Sequence, residues 1–172
     1  SMNNNLLKRH AKDFQKNRKR LRAFITRNED KMSEEDVPLV AEAEKTAWQK
    51  INCLDCANCC KTMSPTYTKA DIDRISTHLG MTPAEFKKKW LYYDRENRDW
   101  MNRSTPCQFL DLKTNMCTIY AVRPDDCAGF PHFMKRPFKD YFYIHKQNIE
   151  YCPATMEMIK KLEELKKKQK KT

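Results

Sequence analysis

Apolar positions recur at helical intervals over most of the chain and shift to short strand-like runs in its middle. Residues 6–28 place Leu6, Leu7, His10, Phe14, Leu21, Phe24 and Ile25 on one side of a basic amphipathic helix. Ser33 followed by Glu34, Glu35 and Asp36 is a helix start, with acidic residues near the positive end of the helix dipole. Val37, Val40, Ala47 and Ile51 continue that helix, interrupted by Glu44 and joined by Trp48. Thr68 with Asp71 opens a third helix with the stripe Ile72, Ile75, Leu79, and Gly80 suits its C-terminal cap. Thr82-Pro83-Ala84-Glu85 opens a fourth, burying Phe86, Trp90 and Leu91. The period then changes. Phe109 to Leu112 and Cys117 to Tyr120 read as two strands about a polar turn at residues 113–115. Tyr141 to Ile144 reads as a third strand. A last helix begins at Pro153, carries Met156, Ile159, Leu162 and Leu165, and frays into a Lys-rich end.

Charge modifies this picture. The net charge is +11. Residues 1–31 hold ten Lys/Arg against three Asp/Glu, residues 157–172 hold seven against three, and the remainder is balanced at seventeen each. The excess therefore lies in the two ends, and the central body has no net field that marks a nucleic-acid reader. A helix-turn-helix over residues 68–93 is disfavoured too, because its second helix exposes Lys87, Lys88 and Lys89 but little that reads bases. Two glycines, Gly80 and Gly129, exclude a phosphate-binding P-loop and a dinucleotide fingerprint. No apolar run reaches the roughly 18 residues of a membrane span. Ser1 and Met2 read as a cleavage scar and are set aside. A cytoplasmic location is expected by default, and there eight cysteines read as metal ligands before disulfides.

The chemistry concentrates in Cys53-Leu54-Asp55-Cys56-Ala57-Asn58-Cys59-Cys60, four thiols in eight residues. Helical or looped, the segment converges them, and convergent thiolates need a soft cation to offset their repulsion. Cys107, Cys117, Cys127 and Cys152 stand singly; the expected hairpin brings Cys107 near Cys117, and the Arg123-Pro124 turn lets Cys127 fold back. Eight thiols fill two four-thiolate sites, or one site with reactive spares. Zinc favours a closed four-cysteine tetrahedron. An iron–sulfur cluster favours the CxxCxxC triple, Cys53, Cys56 and Cys59, with a distant Cys-Pro, Cys152-Pro153. The two remain open. Arg123 is a candidate donor to metal-bound sulfur, with a plain surface turn as the alternative. His132 is a weaker candidate ligand or base, and His10, His78 and His145 read as packing or surface residues.

Taken together, Cys53–Cys60, Thr105-Pro106-Cys107-Gln108-Phe109-Leu110, Cys117-Thr118-Ile119-Tyr120, Arg123-Pro124 and Cys127-Ala128-Gly129-Phe130-Pro131 resemble the YkgJ-type CxxCxxCC proteins, a family described as zinc- or iron-chelating. The resemblance covers roughly residues 50–135, with Cys152 trailing. It implies metal or cluster binding by these cysteines and leaves the activity open. The flagellin lysine N-methylases carry a related cluster, a distant link to protein methylation.

The expectation is a small, cysteine-rich, metal-stabilised single domain, mainly α with a short β-hairpin. The helices over 33–51, 68–79 and 83–93 pack on one another and the terminal helices flank them. Residues 1–31 form a basic N-terminal helix, 32–156 the metal-binding domain and 157–172 a Lys-rich helix end. The leading function is binding of zinc or an iron–sulfur cluster. The alternatives are a zinc-stabilised module whose basic helices bind RNA or a protein partner, and an enzyme component acting on protein side chains.

Overall fold

The computed structural model describes residues 2–172, with side chains from Asn5 onward; Ser1 lies outside the described residues. In chain order the elements are α1 (Met2–Asn28), α2 (Val37–Lys50), α3 (Cys53–Cys56), α4 (Asn58–Thr62), β1 (Thr66–Tyr67), α5 (Lys69–His78), α6 (Pro83–Trp90), β2 (Leu91–Asp94), β3 (Asp99–Asn102), β4 (Leu110–Asp111), β5 (Met116–Cys117), α7 (Asp125–Gly129), α8 (Phe138–Tyr141), α9 (His145–Tyr151) and α10 (Pro153–Lys170). The class is mainly α with a short hairpin, as the periodicity predicts. Two compact units divide the chain. One runs to Cys56 and resumes at Pro131; the other is Ala57–Phe130.

In the first unit, α1, α2, α9 and α10 close over Phe14, Leu21, Ile25, Val40, Ile149 and Leu162, all buried. Ala43 and Ala47 are fully buried on α2, where small side chains let α10 approach closely. The helix over 37–50 is thus a partner of the C-terminal helix, and α1 is part of the core, where the sequence reading has it as a flank. Asp36 shows why the α2 entry is fixed. Its Oδ2 accepts the Ser33 N–H at 2.8 Å and its Oδ1 accepts Lys166 Nζ at 2.7 Å. That half-buried pair holds the Lys-rich end of α10 in helix as far as Lys170, where fraying was expected.

Residues 141–144 are helical, not a strand. Phe138, Phe142, His145 and Ile149 are all buried and spaced 4, 3 and 4 apart, a helical stripe that a four-residue window misses. His145 sits between the rings of Phe133, at 4.9 Å, and Phe142, at 5.5 Å and edge-on.

In the second unit, α5 and α6 start at reciprocal caps. Asp71 N–H donates to Thr68 Oγ1 and Thr68 N–H to Asp71 Oδ2; Thr82 and Glu85 repeat the arrangement. Gly80 ends α5 at φ +67°, a left-handed cap, with Met81 N–H donating to Ser76 O. The fourth helix stops at Trp90. Leu91-Tyr92-Tyr93, expected as its continuation, pairs antiparallel with β3, and β1 adds on the other side to give the order β1-β3-β2. Adjacent aromatic residues favour the pleated conformation, and the polar run 95–98 supplies the turn. The expected hairpin is present and shorter, β4 on β5 in the register Leu110↔Cys117. Its turn is closed by Asp111 Oδ1, which accepts the Lys113 N–H, and by Asn115 at φ +63°. Phe86 and Phe109 stack at 6.1 Å in the core of this unit, with Trp90 edge-on to Phe109 at 5.7 Å.

Candidate metal centre

The CxxCxxCC segment is two short helical turns, α3 and α4, separated by Ala57 at φ +48°. Cys53 and Cys56 lie on the first turn, Cys59 and Cys60 on the second. Cys56 is buried and Cys53 exposed. The break falls at the division between units, so Cys53, Cys56 and Cys152 belong to the first unit and Cys59, Cys60, Cys107, Cys117 and Cys127 to the second.

Four thiols of the second unit are mutual neighbours. Cys60 comes from α4, Cys107 from the turn before β4, Cys117 from β5 and Cys127 from α7. The Cys107 N–H donates to Cys60 O at 2.7 Å, tying the approach to the hairpin onto α4. Every pair among them is close enough for one thiol to act on the other, and Cys127 is acted on by all three of its neighbours. Burial pushes the Cys127 thiol far above its ordinary range, and Cys60, Asp126, Cys107 and Cys117 add to that. Burial likewise raises Cys107, opposed by the Phe109 N–H and reinforced by Cys60 and Cys117. Cys117 is raised by burial and by Cys60, against the Ile119 N–H and the Arg123 charge. The pattern repeats at the two hairpin cysteines: each sulfur is met by the N–H of the residue two positions on.

The segment that delivers Cys127 is held by two carboxylates. Asp126 Oδ2 accepts the Thr66 N–H at 2.9 Å, joining α7 to β1. Asp71 is fully buried. Its Oδ1 accepts the Asp125 N–H at 3.1 Å and Arg74 Nη2 at 2.8 Å, and Arg74 also donates to the carbonyls of Val122 and Arg123. Burial alone would raise Asp71, but the Thr68 N–H, Arg74 and the Asp125 N–H bring it below the usual carboxylate range. Sequence reasoning missed Asp71 and Arg74 in this role; the capping pattern Thr68-x-x-Asp71 gives no sign that the carboxylate is shared with a loop fifty residues on. Arg123 donates Nη1 to Tyr120 O at 2.7 Å and lies over the Tyr120 ring at 3.9 Å. Its charge still favours ionised Cys117.

In the first unit, Cys152 caps α10, its sulfur accepting the Thr155 N–H at 3.4 Å. Burial raises its thiol, the Thr155 and Ala154 donors oppose that, and Cys53 adds to the rise. Cys53 and Cys152 are therefore neighbours. His132, in the same unit, acts on His145. His10 is buried, with Nε2 at 2.7 Å from Glu150 O.

The donor set suits a soft cation. Cys107 and Cys117 pack against the aromatic core that excludes water, backbone N–H groups point at two of the sulfurs, and Asn102 Nδ2 is buried beside Cys107 without a hydrogen-bond partner among the described residues. Among the described residues, no three His, Cys, Asp or Glu side chains are already set as a coordination shell. No described helix is long and apolar enough to cross a membrane.

The model of the CxxCxxCC family, described as "Putative zinc- or iron-chelating domain", matches residues 52–155. An uncharacterized protein of the archaeon Methanocaldococcus jannaschii is 33% identical over 82 residues, which are 47% of this chain and 44% of that protein. The chain therefore spans less than half the length of this curated relative. No solved structure matches.

Proposed function

We propose that this chain, which belongs to the CxxCxxCC family, binds one soft cation, zinc or iron, through Cys60, Cys107, Cys117 and Cys127. The observation that carries the reading is that these four thiols come from four separate elements and every pair among them is close enough for one sulfur to act on the other. Adjacent half-buried thiols are neutral on their own. A cation displaces their protons and turns mutual repulsion into ligation, so uptake releases protons and stabilises the fold that gathers the ligands. When bound, the cation supplies either a structural cross-link or, as iron, electron transfer. The chain's own residues exclude water around the sulfurs and present N–H groups to the thiolates. Cys53, Cys56, Cys59 and Cys152 are the remaining ligand candidates, with Cys53 and Cys152 already neighbours in the first unit.

The test is elemental analysis with a visible spectrum on protein purified without oxygen, wild type against single Cys→Ser variants. Substitution at Cys60, Cys107, Cys117 or Cys127 is expected to remove the same equivalent of metal in each case. Full metal content in any of the four variants contradicts the assignment. Zinc without colour identifies a structural tetrathiolate. Acid-labile sulfide with iron identifies a cluster and contradicts a single cation.

A further inference from the structure

Asn102 ends β3 and is 4% exposed. Its side-chain amide is oriented by its neighbours. Tyr67 donates its hydroxyl to Oδ1 at 2.6 Å, and Gln108 donates Nε2 to the same oxygen at 2.9 Å. Two donors on one atom identify it as the carbonyl oxygen and fix Nδ2 on the other side. The main chain is pinned as well, since the Asn102 N–H donates to Ser64 Oγ at 2.9 Å. Nδ2 is buried and has no hydrogen-bond partner among the described residues. A buried donor left so is costly to the fold. The Cys107 sulfur is its neighbour there. A neutral thiol is a weak acceptor, whereas a thiolate receives a charge-assisted hydrogen bond.

We infer that Asn102 is a positioning residue of the Cys60, Cys107, Cys117 and Cys127 site: when Cys107 holds a cation as its thiolate, Asn102 Nδ2 donates to that sulfur, with Tyr67 and Gln108 holding the amide in register. The inference rests on the thiolate-site reading above and deepens it. With the Phe109 N–H, Cys107 then receives two donors. Such donors draw off sulfur charge, so the ligand class they select is a soft cation held by several thiolates with net negative charge on the centre.

The experiment titrates reduced, metal-free protein with Co2+ and then displaces it with Zn2+ against a chromophoric chelator. Asn102→Asp keeps Oδ1 for Tyr67 and Gln108 and replaces the N–H donor by an oxygen that, ionised, places a negative charge beside the thiolates, so Asn102→Leu, which removes the donor without adding charge, is measured with it. Each is expected to weaken Zn2+ binding about 10–100-fold and to shift the sulfur-to-cobalt charge-transfer band, which loss of packing alone does not move. Tyr67→Phe, which frees one side of the amide, is expected to move both readouts in the same direction by less. Melting of the metal-free proteins separates these effects from misfolding, and Tyr67→Phe carries the test if Asn102→Asp does not fold. Wild-type affinity with an unshifted band overturns the role of Asn102. If wild type binds both metals and only the Cys→Ser variants fail, the inference falls and the thiolate reading stands. If wild type binds neither, both fall.

Discussion

Burial favours the neutral form at Cys107, Cys117 and Cys127, and the same force acts on His145. Its imidazole lies between Phe133 and Phe142, and desolvation, with the His132 charge adding to it, lowers its pKa to about 4. The unfolded value is about 6.5. The unfolded chain therefore takes up a proton first as pH falls. Stability supplied by neutral His145 is complete above about pH 6.5 and is lost as pH drops through about 4, on the order of 3 kcal/mol in all. Denaturant midpoints measured from pH 7 to 4 are expected to fall in wild type and to fall less steeply in His145→Leu. Equal slopes would show that this imidazole is not the group responsible. At this scale the CxxCxxCC spacing was legible as the mark of the family, because four thiols in eight residues are a pattern local to one window. Asn102 was not: an asparagine becomes informative only once Tyr67 and Gln108 are seen to claim its oxygen.

Helix starts were legible wherever the cap is local. Thr68 with Asp71 and Thr82 with Glu85 each satisfy two backbone N–H groups within four residues, so the signal and its cause share one window. The β2–β3 pair was not, since its stability comes from β1 and from the core beneath Leu91 rather than from its own eight residues of pattern. The stripe Phe138, Phe142, His145, Ile149 was hidden by three aromatic residues in succession that imitate a strand. The break between α3 and α4 was open on sequence grounds, and Ala57 resolves it. Its left-handed backbone carries strain that glycine lacks, about 1 kcal/mol. Ala57→Gly is expected to raise or hold the stability of the metal-free chain and to retain metal. A loss of about 1 kcal/mol in chemical denaturation, as for glycine in an ordinary helix, would mean that Ala57 is helical.

For the chain as a whole, the N-terminal share of the excess positive charge lies on the solvent side of α1, at residues such as Lys8, Arg9, Lys12, Lys16 and Lys19, while Phe14, Leu21 and Ile25 of the same helix are buried in the first unit. The basic N-terminal segment is therefore a core element with a charged outer face. The second unit gathers its cysteines from elements as far apart in sequence as α4 and α7, and the family model matches residues 52–155, which include both. Membership of a family described as zinc- or iron-chelating was readable from the cysteine spacing; which thiols stand together depends on the hairpin register and on the Asp71 and Arg74 contacts that place α7. X-ray absorption at the metal edge of the protein as purified without oxygen measures the claim most directly. Four sulfur scatterers at about 2.3 Å, falling to three with one oxygen or nitrogen in Cys117→Ser, are the result expected of a single cation held by Cys60, Cys107, Cys117 and Cys127. A shell of nitrogen and oxygen in the wild type, or a sulfur shell unchanged by that substitution, would contradict it.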